Sequence, residues 1–424
     1  MSRRVAVVGA GWAGLAATVR ATQAGHAVTL FEMAGAAGGR ARSFEHDGQV
    51  FDCGQHILIG AYSRSLDLMR TVDADPEACL LRLPLTLRYP DGRGMSMGKG
   101  PQALALGCAI AAFAGWSWRE RAAVLWQAAR WAAMRFRCDE RLTVDQLCIG
   151  LPVKTRRMFI EPLCVAALNT PASQASASVF LRVLHDAMFS GSGSSDLLLP
   201  RRPLDALLVQ PATQWLRSHG ADVEHDHRVM SVERDGDIWR VDDRQFDAVI
   251  LACSALEASR LASIVSPAWA EQAEQLRFEP IVTIYLHHAQ ARLPGAMIAL
   301  AAGPQAPAQF VFDHGQLHGH EGLLACVVSG AGQWLEGGMD ALCAALLAQM
   351  AAAFSDAAWS SKLSVVFRAA EKRATFSCTP QLQRPDSLIV HGLLAAGDYT
   401  AGPYPATLEG AVLSGERAAG LIAA

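Results

Sequence analysis

The sequence of 424 residues carries little charge, 18% Asp, Glu, Lys and Arg together, and the two signs nearly cancel at a net −3. That balance excludes a general nucleic-acid binder, which needs a basic face. No run of about 18 or more apolar residues escapes a charge or a cluster of small polar residues, and the longest candidate, Ala103 to Ala114, is too short to span a bilayer. The 10 cysteines are scattered singly without a Cys-x-x-Cys pair. This excludes the usual metal and disulfide spacings and leaves reduced core thiols in a cytosolic protein. No Ser-His-Asp set, metal-ligand cluster or internal repeat stands out. The opening "MSRRVAVVGAGWAG" does not read as a signal peptide, because glycines break its apolar run. What is left is a folded chain, 51% hydrophobic and too long for one simple core, hence two intertwined domains.

The first thirty-two residues carry the strongest pattern. Val5 to Val8 is continuously apolar, as a strand buried on both faces requires. Gly9-Ala10-Gly11-Trp12-Ala13-Gly14 follows, then an Ala-rich helix from Leu15 to Ala24 that Gly25 can stop. A second strand, Ala27 to Phe31, ends at Glu32. Gly9 permits the tight turn, Gly11 lets a pyrophosphate approach the backbone, and Gly14 lets the helix pack on the strand. The helix N-terminus offers N–H groups to phosphates. Glu32, 18 residues beyond Gly14, can accept ribose hydroxyls. Together they predict a dinucleotide-binding unit. Gly38-Gly39-Arg40 is a second glycine turn that can bring a cation near the phosphates; a surface loop with a solvated Arg is the plainer alternative. The segment resembles the Gly-Gly-Arg element of the flavin amine oxidase and carotenoid desaturase superfamily, which implies FAD.

Further along, Leu85 to Met97 reads as a hairpin about a Pro-Asp-Gly turn, and Pro101 to about Ala187 as mainly helical. Ser190 to Ser195 reads as a mobile loop and Pro203 to Gly220 as a helix. Short strands from Ala221 end in a buried strand, Ala248 to Ala252. Strands near 221–252 and 388–396 would complete the sheet begun at the N-terminus. The expected fold class is α/β, with a Rossmann-like FAD-binding domain of the glutathione-reductase/amine-oxidase type. Its expected segments are 1–90, 196–265 and 362–424, and a mixed α+β substrate domain takes 91–195 and 266–361.

Near the far end, the run Leu388 to Ala395 reads as one strand leading into "GDYTAGPYPATLEGAVLSG", Gly397 to Gly415. Asp398 can accept from ribityl or ribose hydroxyls. A helix starting near Pro405 to Thr407 can aim the N–H groups of Thr407 and Leu408 at the flavin O2, where negative charge gathers on reduction. Glu409 reads as a solvated helix position.

This closing stretch resembles the flavin motif of phytoene desaturases. Four others resemble, more specifically, the hydroxysqualene dehydroxylase family of hopanoid biosynthesis: "CGQHILIGAY" (53–62), "ALNTPASQASASVFLRVL" (167–184), "SDLLLPR" (195–201) and "EKRATF" (371–376). Gly402-Pro403 departs from the bulkier or polar residues frequent in relatives, which bears on pocket shape. The resemblance implies that reduced FAD converts hydroxysqualene to squalene and water, with a carotenoid desaturase or another isoprenoid or amine flavin oxidoreductase as the rival. The expected cofactor contacts are Gly9, Gly11, Trp12, Ala13, Gly14 and Glu32 at the front, then Gly38, Gly39, Arg40 and Ala41. Gly54, Gln55, His56 and Val229 follow, and Gly397, Asp398, Ala406, Thr407 and Leu408 complete the set. The expected catalytic residues are His56, as general acid for the departing hydroxide, and Gln55, with Tyr399 and Tyr404 as alternative donors or π faces.

A triterpene resides in membrane, which gives "WSWRERAAVLWQAARWAAMRFR", 116–137, its interest. It holds Trp116, Trp118, Trp126 and Trp131, and five Arg against one Glu. Ala122, Leu125, Trp126, Ala129, Ala133 and Phe136 share one helical face, suited either to the core or to a bilayer interface. The expected location is cytoplasmic, peripheral at the inner face of the membrane, with upstream prenyl-coupling enzymes as candidate partners.

Overall fold

The structure, a computed structural model, describes residues 2–422. Its first layer is a six-stranded sheet in the order Asp222–Glu224, Ala27–Phe31, Arg4–Val8, Ala248–Leu251, Leu393–Ala395, Leu388–Val390. The first five strands run parallel and the last antiparallel. Parallel strands need cover on both faces, and the central ones, Val5–Val8 and Ala248–Leu251, are buried throughout. One face is covered by the helices Trp12–Gln23 and Leu408–Ile422, which touch backbone to backbone at Gly415: a Cβ there would overlap the Ala13 carbonyl oxygen.

Two expectations for this sheet need correction. Only the ends of the 221–252 region enter it. Between them, Val232–Asp235, Ile238–Val241 and Arg244–Phe246 form their own antiparallel sheet. Their alternation of Val232, Trp239, Val241 and Phe246 with charged residues suits a sheet with one wet face, not the middle of a parallel one. The run Leu388 to Ala395 is a hairpin rather than one strand, turned at Gly392, whose φ of +79° favours glycine.

The second layer is a five-stranded antiparallel sheet: Met297–Ala299, Phe310–Asp313, Leu323–Ser329, Phe278–His287, Ser364–Phe376. Val282, Ile284 and Leu286 point to one face, where Leu342, Leu346 and Met350 of the helix Met339–Ala353 pack on them. Thr283 and Tyr285 alternate to the other face. The boundary expected at 362 falls after Phe376 instead. The 13-residue strand Ser364–Phe376 pairs along the ten residues Phe278–His287 and so belongs to this second sheet.

Residues 102–189 are mainly helical, and the helix Trp118–Ala133 begins with a capping box between Ser117 and Glu120. Val124, Gln127 and Trp131 face inward. Ala122, Trp126, Ala129 and Ala133 face outward, with Leu125 and Phe136 half-buried at the edge. The four tryptophans therefore divide. Trp116 and Trp131 are core, whereas Trp118 and Trp126 are 73% and 74% exposed. The loop Ser190–Ser195 is tied down at its end, where Ser194 donates to Ala187 O at 2.5 Å and Ser195 to Gln102. Six of the ten cysteines are buried as expected of core thiols, but Cys108 is exposed. Among the described residues no helix is long and apolar enough to cross a membrane, and no group of His, Cys, Asp and Glu could hold a metal.

Candidate active site

The two glycine turns meet. The Gly38 N–H donates to Ala10 O at 2.8 Å, and Ala41 N–H closes the second turn on Gly38 O at 3.1 Å. Gly9, at φ +105°, could not carry a Cβ, which would lie 2.8 Å from the Ala252 carbonyl oxygen. At Gly14 a Cβ would overlap Gly9 O, so helix and turn meet through bare backbone. At Gly11 a Cβ would meet nothing within 4 Å, so space opens at the start of the helix Trp12–Gln23. No side chain caps that terminus and no acid occupies its first turn. Its N–H groups and positive dipole end suit an anionic group. Glu32 is buried beside it, accepting from Ala10 N–H at 2.8 Å and Ala34 N–H at 2.9 Å.

At the other end, Asp398 follows the last parallel strand and receives Arg40 of the second glycine turn. Arg40 also donates to Ala374 O at 2.7 Å. Gly397 N–H is held by Ser414 Oγ of the final helix at 2.8 Å. Thr407 caps that helix, its Oγ1 accepting from Gly410 N–H at 3.0 Å, so Ala406 lies outside the helix and Leu408 is its first residue. Glu409, expected in solvent, is buried, because it caps a second helix: it accepts from Arg64 N–H, Ser65 N–H and Ser65 Oγ at 3.0, 2.8 and 2.7 Å. Val229 already has its carbonyl engaged by Arg260 at 2.7 Å, which favours its N–H as the group that would serve a ligand.

Between these ends lies the segment Gly54-Gln55-His56, hooked to the glycine turn by Cys53 Sγ, which donates to Arg40 O at 2.9 Å. His56 Nδ1 is 2.9 Å from Gly54 O. A carbonyl only accepts, so Nδ1 carries the proton and Nε2 keeps its lone pair in the neutral ring. Burial lowers the His56 pKa, with the Arg40 cation adding to the effect and the Gly54 bond opposing it. A neutral His56 suits acceptance of a hydrogen bond from a substrate hydroxyl better than the general-acid role expected of it. Tyr404 stays protonated: burial, with the nearby Asp186 carboxylate adding, pushes its pKa up to about 12. Asp186 itself accepts from Arg182 Nε and His185 Nδ1, both at 2.8 Å. Tyr399 is buried with its hydroxyl unpartnered, and burial, then Cys253 and Asp398, hold the phenol protonated.

The Trp12 indole N–H and the Thr283 hydroxyl are likewise buried without a protein partner. Each such orphan costs about 1–3 kcal/mol. Orphaned polar groups around an open glycine cradle, flanked by the carboxylates Glu32 and Asp398, fit FAD.

The family-specific stretches come together in pairs. Leu58–Ile59 pairs with Leu197–Leu198, joining 53–62 to 195–201. Asn169, left-handed at φ 48°, donates to Thr375 Oγ1 at 2.8 Å, joining 167–184 to 371–376. Two side chains escaped the sequence reading. Arg384 donates to Tyr404 O at 2.9 Å, to Asp398 O at 3.3 Å and to Gly402 O, bracing the closing loop. Nothing in its sequence context marks it. His314 Nε2 meets Gln55 Oε1 at 3.1 Å; three histidines within seven residues, 314 to 320, were the available signal.

The sequence matches the flavin containing amine oxidoreductase family over residues 12–423. It is 28% identical to a hydroxysqualene dehydroxylase of Rhodopseudomonas palustris, across 100% of this chain and 99% of that protein. It is 42% identical over 72 residues to a zeta-carotene desaturase of Synechocystis, across 17% of this chain and 15% of that protein. The crystal structure of an oxidoreductase from Methanosarcina mazei superposes with a TM-score of 0.74 at 15% identity, covering 97% of this chain and 98% of that one. With its Rossmann-like fold and flavin-fitting cradle, the chain belongs to the flavin containing amine oxidoreductase family and is an FAD-dependent oxidoreductase.

Proposed function

We propose that this enzyme reduces hydroxysqualene to squalene with loss of water. The observation that carries this reading is similarity to a hydroxysqualene dehydroxylase along the whole chain, substrate side included, where the likeness to a zeta-carotene desaturase spans 72 residues. A carotenoid desaturase with the same cofactor and opposite hydride direction is the second reading.

Gly9, Gly11, Gly14, Gly38 and Gly39 would cradle the FAD diphosphate, with Trp12, Ala13 and Ala41 beside them and Val229 contributing its N–H. Glu32 and Asp398 would accept from sugar and ribityl hydroxyls, Arg40 would hold Asp398, and the segment Gly397 to Leu408 would receive the ring end. When bound, reduced FAD supplies hydride.

The chain's own residues handle the hydroxyl. Neutral His56 accepts from it through Nε2 and fixes its direction, with Gln55 beside it. Loss of an allylic hydroxyl leaves a delocalised cation, and the departing hydroxide needs a proton. The buried phenol of Tyr399, unpartnered within the protein, takes that role. Behind the Gln55–His56 segment, Phe51 stacks on Phe367 at 4.7 Å and meets Tyr285 edge-on at 5.0 Å, and the Tyr285 hydroxyl donates to Asp52 O at 3.1 Å.

The substrate arrives from a lipid surface. Its transfer to water costs about 0.8 kcal/mol per CH₂. Trp118, Ala122, Trp126, Ala129 and Ala133 form an exposed apolar stripe, and the Arg119 guanidinium sits over the Trp118 ring at 5.4 Å. That stripe suits an anionic bilayer at the inner face of the cytoplasmic membrane. At its C-terminal end Phe136 packs on Phe189, 5.6 Å away, which lines a cavity of about 470 Å³ with Met188 and Pro101. Enzymes that couple prenyl units would supply the substrate.

The test is product analysis. Incubated with hydroxysqualene and a reductant, the enzyme should yield squalene and leave phytoene with a quinone untouched. Phytoene oxidation without squalene would move the assignment to the desaturase.

A further inference from the structure

We propose that His314 is a positioning residue that holds Gln55 with its amide N–H₂ toward the active site. The inference rests on the reading of Gln55 as a site residue. His314 opens the short helix His314–His318, which follows the strand Phe310–Asp313 directly. Asp313 pins that junction, accepting from Gln316 N–H at 3.1 Å and Leu293 N–H at 2.9 Å. The His314 ring is 3% exposed and packs edge-on to Tyr285, centroids 5.4 Å apart at 84°. Tyr285 is itself fixed through its bond to Asp52 O. The imidazole therefore has little freedom.

Its Nε2 lies 3.1 Å from Gln55 Oε1. An amide oxygen only accepts, so His314 donates. One turn later, His318 Nε2 donates to Pro200 O at 3.1 Å. Pro200 ends the strand Leu197–Pro200, whose start pairs with Leu58–Ile59, three residues past Gln55. The two histidines, four apart on one helical face, thus clasp Gln55 and the strand beside its segment.

A primary amide has one accepting end and one donating end of nearly equal shape. Unrestrained, Gln55 could turn either toward a bound hydroxyl. With Oε1 taken by His314, the donating end is the one left for the site. Burial, with His318 and His320 nearby, lowers the His314 pKa well below its usual value, so the single proton on Nε2 persists at neutral pH.

The experiment is a double-mutant cycle on the FAD-loaded enzyme with hydroxysqualene. His314→Phe should lower kcat roughly tenfold with FAD content and visible flavin spectrum unchanged, and His314→Gln, which restores a donor, should recover most of it. Made on top of Gln55→Ala, His314→Phe should cost nothing further. Equal losses in both backgrounds, or no loss from His314→Phe while Gln55→Ala slows turnover, would overturn the inference and leave the site reading intact. A Gln55→Ala enzyme of undiminished rate would instead remove Gln55 from the site, and the inference with it.

Discussion

Arg40 and Asp398, 358 positions apart in the chain, are joined by a hydrogen-bonded ion pair 2.5 Å long. The pair ties the second glycine turn to the end of the last parallel strand, closing the cofactor cradle between the two ends of the sequence. The Asp398 side chain is 7% exposed and that of Arg40 39%, so removing the carboxylate strands a cation that can still reach water. Hydrogen bonds to charged groups contribute about 1.5–3 kcal/mol. Asp398→Ala should therefore weaken FAD binding roughly tenfold or more, and Asp398→Asn less. Fluorescence titration of the deflavinated protein with FAD measures this, and an unchanged Kd for Asp398→Ala would contradict the role.

Asp52, just before the Cys53–His56 segment, should make stability fall as pH rises. Burial, with Asp205 adding and the Ser43 and Leu204 bonds opposing, raises its pKa from the ordinary 3.8 to about 6. A folded pKa above the unfolded one means the folded state binds the proton more tightly. The stabilisation is complete below about pH 4 and lost as pH rises through about 6, at most about 3 kcal/mol. Asp52→Asn keeps an acceptor for Ser43 and Leu204. Urea unfolding at pH 4, 6 and 8 should show the wild-type midpoint falling relative to the variant; parallel curves would refute the shift.

Among the tyrosines the structure separates roles that the sequence left together. Tyr399→Phe should lower kcat by about 10²-fold with Tm nearly unchanged, since its hydroxyl has no protein partner to lose. Tyr404→Phe, which removes a phenol beside the Asp186 carboxylate, should have a smaller effect on kcat. Steady-state rates and thermal unfolding of both variants decide it, and the reverse pattern would exchange the assignments.

Replacing Trp118 and Trp126 with serine should reduce co-sedimentation with anionic vesicles at least roughly tenfold without changing Tm, because both rings are already in solvent. Wild-type binding should also weaken with salt. Wild-type protein that ignores anionic vesicles at low salt would remove the membrane surface from the account.

The dinucleotide unit was legible because its information is local. A tight turn, a helix start and an acid at a strand end all follow from spacing within Val5 to Glu32. The helix Trp118–Ala133 was legible as amphipathic, but periodicity cannot say which face the fold covers; packing on Val124, Gln127 and Trp131 left the Trp126 face outside. The strand Ser364–Phe376 was assigned to the wrong layer because its partner, Phe278–His287, lies some eighty residues upstream. Arg384 and His314 act on carbonyls and an amide brought near only by tertiary structure, so no short-range pattern records them. Glu409 reads as an exposed helix acid until the helix it caps, at Ser65, is folded beside it.

The central claim is that this flavoenzyme delivers hydride to hydroxysqualene. It is tested most directly by reducing the purified holoenzyme anaerobically with dithionite, adding hydroxysqualene in anionic vesicles, and following flavin absorbance alongside the extracted lipid. The account predicts reoxidation of the flavin with one squalene formed per flavin. Flavin that stays reduced while hydroxysqualene is recovered unchanged would contradict it.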